Sequence, residues 1–225
     1  PPPPPRGGGG GPPGRGAGPP PPTTAALANI DGHTPRARPL APAVDRVPPA
    51  RHDLRPMRYA CHVCGQEHDD LPDLGADKPD QVFGIPPAER AARVRLTSDL
   101  CAIDGKQFFI RGVLYLPLSD APPDADEAHR RWGIGVWVSQ AEQNFRTYVE
   151  NFDTADIGPF FGWLCTAVRT YTPTTAGLKT MAHFRGDNQR PTIELERTDH
   201  LLALDQRTGI TIARAWEVVH AYAGR

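Results

Sequence analysis

The chain has 225 residues, a formal net charge of −1, 27 prolines, 22 glycines and four cysteines. Sixteen of the prolines and nine of the glycines fall in residues 1–55, which leaves about 170 residues, enough for one domain whose core needs no disulfide staples. No apolar run approaches the ~20 residues of a membrane span and the N-terminus lacks the apolar segment of a secretory signal, so a cytoplasmic location, no membrane partner and reduced thiols are expected.

The opening PPPPPRGGGGGPPGRGAGPPPPTT has too little apolar content to offset the entropy of ordering a chain. Residues 1–56 are therefore expected to be a disordered Pro/Gly/Arg-rich tail with polyproline II character. Seven arginines against three aspartates give the tail a charge of +4, so the remainder carries −5. Phosphate binding needs clustered Lys and Arg, and no nucleic-acid partner is expected for a mildly acidic domain. Met57 stands just ahead of the first motif, and the tail is expected to be a gene-model extension with native translation starting near that residue. Residues 57–225 then form a single globular α+β domain.

Within it, RYACHVCG (58–65) reads as a short strand entering a turn, and prolines and aspartates limit the next stretch to one short helical piece at Pro87–Val94. QFFIRGVLYLPL (107–118) is the clearest strand, preceded by an Asp104-Gly105 turn and bent at Gly112. WGIGVWVS (132–139) is a second strand, and Ser139 with Glu142 has capping-box spacing for a following helix. The intervening SDAPPDADEAHRR is a polar, mobile connection. FFGWLC, TAGLKTMAHF and RPTIELE read as short strands, and TDHLLALDQRTG and ITIARAWEVVHAYA as two closing helices broken at Gly209. In the last, Ile212, Ala215, Trp216, Val219 and Tyr222 repeat at helical spacing and make one apolar face. The order predicts an α+β fold, an antiparallel sheet with helices packed on one side.

The ordered series CHVCGQEHDDLP, IPPAERAARVRLTSDLCAIDGKQFFIRGVLYLPL, WGIGVWVS, FFGWLC, RPTIELERTDH and LDQRTGIT resembles the bacterial domain-of-unknown-function 2199 family over nearly all of residues 58–213. The resemblance implies a bacterial, mostly stand-alone cytosolic protein and implies no particular activity.

Cys61-x-x-Cys64-Gly65 has the form of a zinc knuckle: two thiolates bind one ion, and the glycine permits the turn that aims N–H groups at sulfur. Zinc takes about four ligands, and no second Cys-x-x-Cys is present. His68 and Cys101 are the candidates to complete the set with Cys61 and Cys64. All four together make a closed structural site, whereas three ligands and a water make an open, catalytic one. A thioredoxin-like couple is disfavoured, because QEHDDLPD is no amphipathic helix. Cys101 and Cys165 have apolar neighbours, a setting more often of small core residues, and Cys165 is expected to be buried packing. Glu194 and Glu196 share a strand face, with Asp199 and His200 beyond, more often the pattern of a solvated face than of a metal or acid-base cluster. Arg111, inside FFIRGVLYL, needs solvent, an acid partner or a bound anion. Trp132, Trp137 and Trp163 read as core or as a partner surface.

With no phosphate loop, nucleotide fingerprint or triad in the sequence, the expected function is a non-enzymatic bacterial protein-binding domain with a structural zinc site and an unknown protein partner. No nucleotide cofactor is expected. The alternatives are a metal-dependent hydrolase using Cys61, Cys64 and His68 with Asp69 or Asp70 as base, and an immunity-type protein that neutralises a toxin.

Overall fold

The computed structural model describes residues 58–68 and 70–223. The expected tail and its proposed start site lie outside the described residues, as does Asp69. A two-stranded antiparallel hairpin comes first, β1 (Tyr59–Ala60) with β2 (Glu67–His68). β3 (Leu74–Gly75), a 3-10 segment (Asp80–Gly84), α1 (Pro87–Arg93), β4 (Val94–Leu96) and β5 (Leu100–Ile103) follow. β6 (Gln107–Pro117), β7 (Arg131–Gln140) and α2 (Glu142–Glu150) form the middle of the chain. The rest comprises β8 (Phe160–Trp163), β9 (Lys179–His183), β10 (Thr192–Leu195), α3 (Leu201–Thr208) and α4 (Ile212–Ala223).

The α+β expectation holds, but the large sheet is mixed. Its order is β3-β7-β6-β10-β9-β8, with β4 and β5 attached along the first half of β6. β3 runs parallel to β7 and β10 parallel to β6, while the other pairs are antiparallel. Alternation of apolar residues specifies which face of a strand is buried and is silent about the direction of its neighbour. The Asp104-Gly105 turn forms as expected, with both residues at positive φ (53° and 62°), inside a three-residue loop that links the paired Ile103 and Gln107.

Along β6, Phe108, Ile110, Leu114 and Leu116 point into the main core, where they meet Trp132, Ile134, Val136 and Val138 of β7. Helices α2, α3 and α4 add Phe145 and Tyr148, Leu202 and Ala203, and the Ile212, Ala215, Trp216, Val219 stripe to that same core. The opposite face packs Phe109 and Trp137 with Cys101, Ile103 and Cys165 under Val82 and Ile85 at the 3-10 segment. Gly112 is required by close approach, since a Cβ there would lie 2.5 Å from Ile193 side-chain carbons.

Two local expectations need correction. Ser139 does not cap α2: it remains in β7 and its Oγ accepts the Trp163 N–H at 3.1 Å, while Ala141 is the N-cap. Strand pairing continues past the point where capping-box spacing placed a helix start, because β6 pairs with β7 as far as Gln140. The 119–131 connection is anchored at both ends. Asp120 Oδ1 accepts the Ile212 N–H at 2.8 Å, and buried His129 holds Asp126 through Nδ1 at 2.8 Å.

Candidate metal centre

β1 and β2 pair Tyr59 with His68 and Ala60 with Glu67, so the intervening Cys61–Gln66 segment is a tight reversal. The reversal closes by two backbone bonds of 2.8 Å, Cys61 N–H to Gln66 O and Gly65 N–H to Cys61 O. Gly65 sits at φ +72°, where a side chain is strained. Cys61 thereby turns inward and is 3% exposed, while Cys64 stays at the surface. Burial alone pushes the Cys61 thiol up, but the backbone N–H groups of Cys64 and Val63 and the Cys64 side chain outweigh it, and the thiol lies below its ordinary value. N–H groups aimed at sulfur are what a knuckle turn provides to a thiolate ligand.

The hairpin rests on α4. His68 stacks on Trp216 with ring centroids 4.0 Å apart at 21°, and exposed His62 reaches Glu217 at 3.3 Å. One turn after Trp216, buried His220 brings Nε2 to 3.3 Å from Cys61 Sγ. His68 Nε2 lies 3.2 Å from Cys64 Sγ. One donor atom from each of Cys61, Cys64, His68 and His220 lies within 4.8 Å of the others.

Three of the four expected ligands thus converge, and Cys101 does not. It lies on β5, wholly buried in the second apolar cluster beside Phe109, Trp137 and Cys165, with its thiol pushed up to about 12 by burial. Its place in the cluster is taken by His220, which sequence reasoning passed over as part of an apolar helix. The available signal was position: His220 follows Trp216 by four residues and so shares the inward stripe.

The set fits a tetrahedral soft-to-borderline cation. Metal–sulfur bonds of about 2.3 Å and metal–nitrogen bonds of about 2.0 Å imply ligand–ligand edges of roughly 3.3–3.8 Å. The two N···S contacts, 3.2 and 3.3 Å, lie a few tenths of an ångström inside the roughly 3.5 Å of an N–S edge, so those pairs open slightly while the wider edges contract. His220 Nδ1 is buried without a partner, which leaves Nε2 as the nitrogen that faces the thiols.

The other singled-out residues do structural work or lie elsewhere. His200 caps α3, its Nδ1 accepting the Leu202 N–H at 3.1 Å and its Nε2 donating to Pro173 O at 2.9 Å. Glu194 and Glu196 are exposed and pair with His183 and Lys179. Arg111 lays its guanidinium over Gly75 and Gly135, with Nη1 donating to Ser98 O at 3.4 Å. It makes no ion pair within the described residues. Trp132 and Trp137 are core, whereas Trp163 is 45% exposed beside Phe161. Asp70 stands near His129 at 3.8 Å.

A family model described as an uncharacterized protein conserved in bacteria, domain of unknown function 2199, matches residues 60–210. The chain belongs to this family. The matched segment of this DUF2199 chain contains Cys61, Cys64 and His68, whereas His220 falls beyond its end. No curated protein and no solved structure matches the chain.

Proposed function

We propose that Cys61, Cys64, His68 and His220 hold one structural Zn²⁺ that clamps the N-terminal hairpin to the C-terminal helix of a non-enzymatic, cytoplasmic protein-binding domain. The observation that carries the metal assignment is the convergence of two thiols and two imidazoles from the first and last elements of the described residues. Two sulfurs and two nitrogens suit zinc, a cation without redox chemistry that accepts tetrahedral N/S sets. With four protein donors the coordination sphere is full, whereas hydrolysis needs a position for water. Of the two bases the hydrolase alternative names, Asp70 stands 3.8 Å from His129 and Asp69 lies outside the described residues. In this reading the ion supplies cross-linking and no chemical step. His68 is oriented by its stack on Trp216, and the His62–Glu217 contact keeps the hairpin in register with α4.

Binding to a protein is supported by the Phe161–Trp163 pair on β8, both 45% exposed and packed edge to face at 5.4 Å. Aromatic side chains in such positions are preferred binding anchors. Titration of reduced, metal-free protein with Co²⁺ tests the centre. The expected result is a one-to-one complex with tetrahedral ligand-field bands and a thiolate charge-transfer band, lost in Cys61→Ser and unchanged in Cys101→Ala. An octahedral spectrum, or equal loss in both variants, refutes the assignment.

A further inference from the structure

We propose that the protein has a second binding site, an open cleft on the sheet that takes a small organic molecule carrying a phosphate or carboxylate group. The cleft, of about 460 Å³, lies where β10 parts from β6. The two strands pair at Thr192 and Val113. Beyond that point Gln206 of α3 satisfies β10, accepting the Leu195 N–H and donating to Ile193 O, each at 2.8 Å. β10 therefore needs no further strand partner, and the space between it and Tyr115 stays open.

The charge in this space runs against that of the domain. Arg131, Arg197, Arg207 and His183 line the cleft with Glu194 as the acid, and Glu194 is already held by His183 at 3.0 Å. Residues 57–225 as a whole carry −5, so three arginines in one concavity are a local reversal. Two of them are held in place. Arg207 donates to Ala203 O at 2.8 Å and Thr198 O at 3.4 Å, and Arg131 lies 4.4 Å over the Tyr115 ring. Arg131 also meets Glu127, whose side chain is 86% exposed, at 3.6 Å. Arg197 is exposed and makes no hydrogen bond or ion pair with a described residue.

Guanidinium groups match the paired oxygens of carboxylate and phosphate. A concave volume of this size suits a small molecule, and the acidic surround disfavours a polyanion, whose affinity needs an extended basic surface. Tyr115 adds an aromatic wall for the organic part of the ligand.

Calorimetric titration of the full chain at constant ionic strength, with inorganic phosphate, phenyl phosphate and benzoate as probes, tests the site. The expected result is saturable one-to-one binding of an organic probe, weakened at least roughly tenfold, or ~1.4 kcal/mol, in Arg197→Ala. The control Arg146→Ala, which removes an α2 arginine paired with Glu142, should bind like the wild type. Tighter binding of phenyl phosphate assigns a phosphate ligand, and tighter binding of benzoate a carboxylate. The proposal is overturned if no probe saturates by about 10 mM, if Arg197→Ala binds as the wild type does, or if heparin binds where the small anions fail. Zinc content plays no part in this readout, so its outcome is independent of the metal centre.

Discussion

Replacing His220 by alanine separates the metal's contribution from ordinary packing. His220 is 5% exposed and its imidazole meets Cys61 Sγ at 3.3 Å, so its loss costs about 1–3 kcal/mol in the metal-free protein through a void and a lost hydrogen bond. That cost is common to metal-free and metal-loaded protein and cancels in the difference between them. An ion that binds only the folded state adds about 2.7 kcal/mol when free metal stands at a hundred times Kd. Changes outside the ligand shell already weaken metal sites about 10–100-fold. Loss of a ligand weakens binding by at least about a hundredfold, and the increment then falls to roughly 0.4 kcal/mol. For a domain of about 170 residues these figures become metal-induced Tm rises of roughly 5–10 °C in the wild type and 1–2 °C in His220→Ala. Thermal scans of reduced protein with chelator and with buffered zinc read both. Cys101→Ala is the counterpart: it loses buried packing yet keeps the full metal increment. A wild-type increment in His220→Ala, or a lost one in Cys101→Ala, would refute the ligand assignment.

Two further outcomes follow from burial. With a disulfide reagent at about pH 8, Cys64 should react first in folded, chelator-treated protein and be protected by zinc, because reaction needs an accessible thiolate. Cys101, with its thiol near 12, and Cys165, also pushed up by burial, should react only after denaturation. Labelling of Cys101 at the rate of Cys64 would contradict its placement in the core. Gly162→Ala should destabilise by about 1–3 kcal/mol, because the new Cβ would lie 2.1 Å from Ser139 O and force β8 off β7. Gly84→Ala, with nothing within 4 Å, should stay within about 0.5 kcal/mol of the wild type in chemical denaturation. Equal stability of the two variants would mean that β8 does not close against β7.

The knuckle was legible because its chemistry is local. Two thiols three apart, a glycine at the position needing positive φ and a histidine four residues on all serve one turn. The long strands β6 and β7 were legible for the same reason, since alternation, like the Asp104-Gly105 turn ahead of β6, is a short-range signal. His220 was not, because its link to Cys61 spans 159 residues, and a histidine in an apolar helical stripe reads as core. Cys101 misled in the opposite sense: placed just before the expected strand 107–118, it was free to return to the knuckle, but it lies in β5, which pairs with β6 and turns the thiol into the second apolar cluster. The parallel pairings of β3 and β10 escaped for want of any sequence mark of strand direction. The cleft escaped too, because its arginines come from three separate segments and meet only after β10 diverges from β6.

Metal analysis of the purified full chain, kept reduced throughout, tests the account most directly. The cluster of two cysteines and two histidines found among the described residues predicts about one equivalent of zinc per chain, retained through dialysis and released when Cys61 or His220 is replaced. Less than about 0.2 equivalents in reduced wild-type protein, with none taken up from buffered zinc, would contradict it.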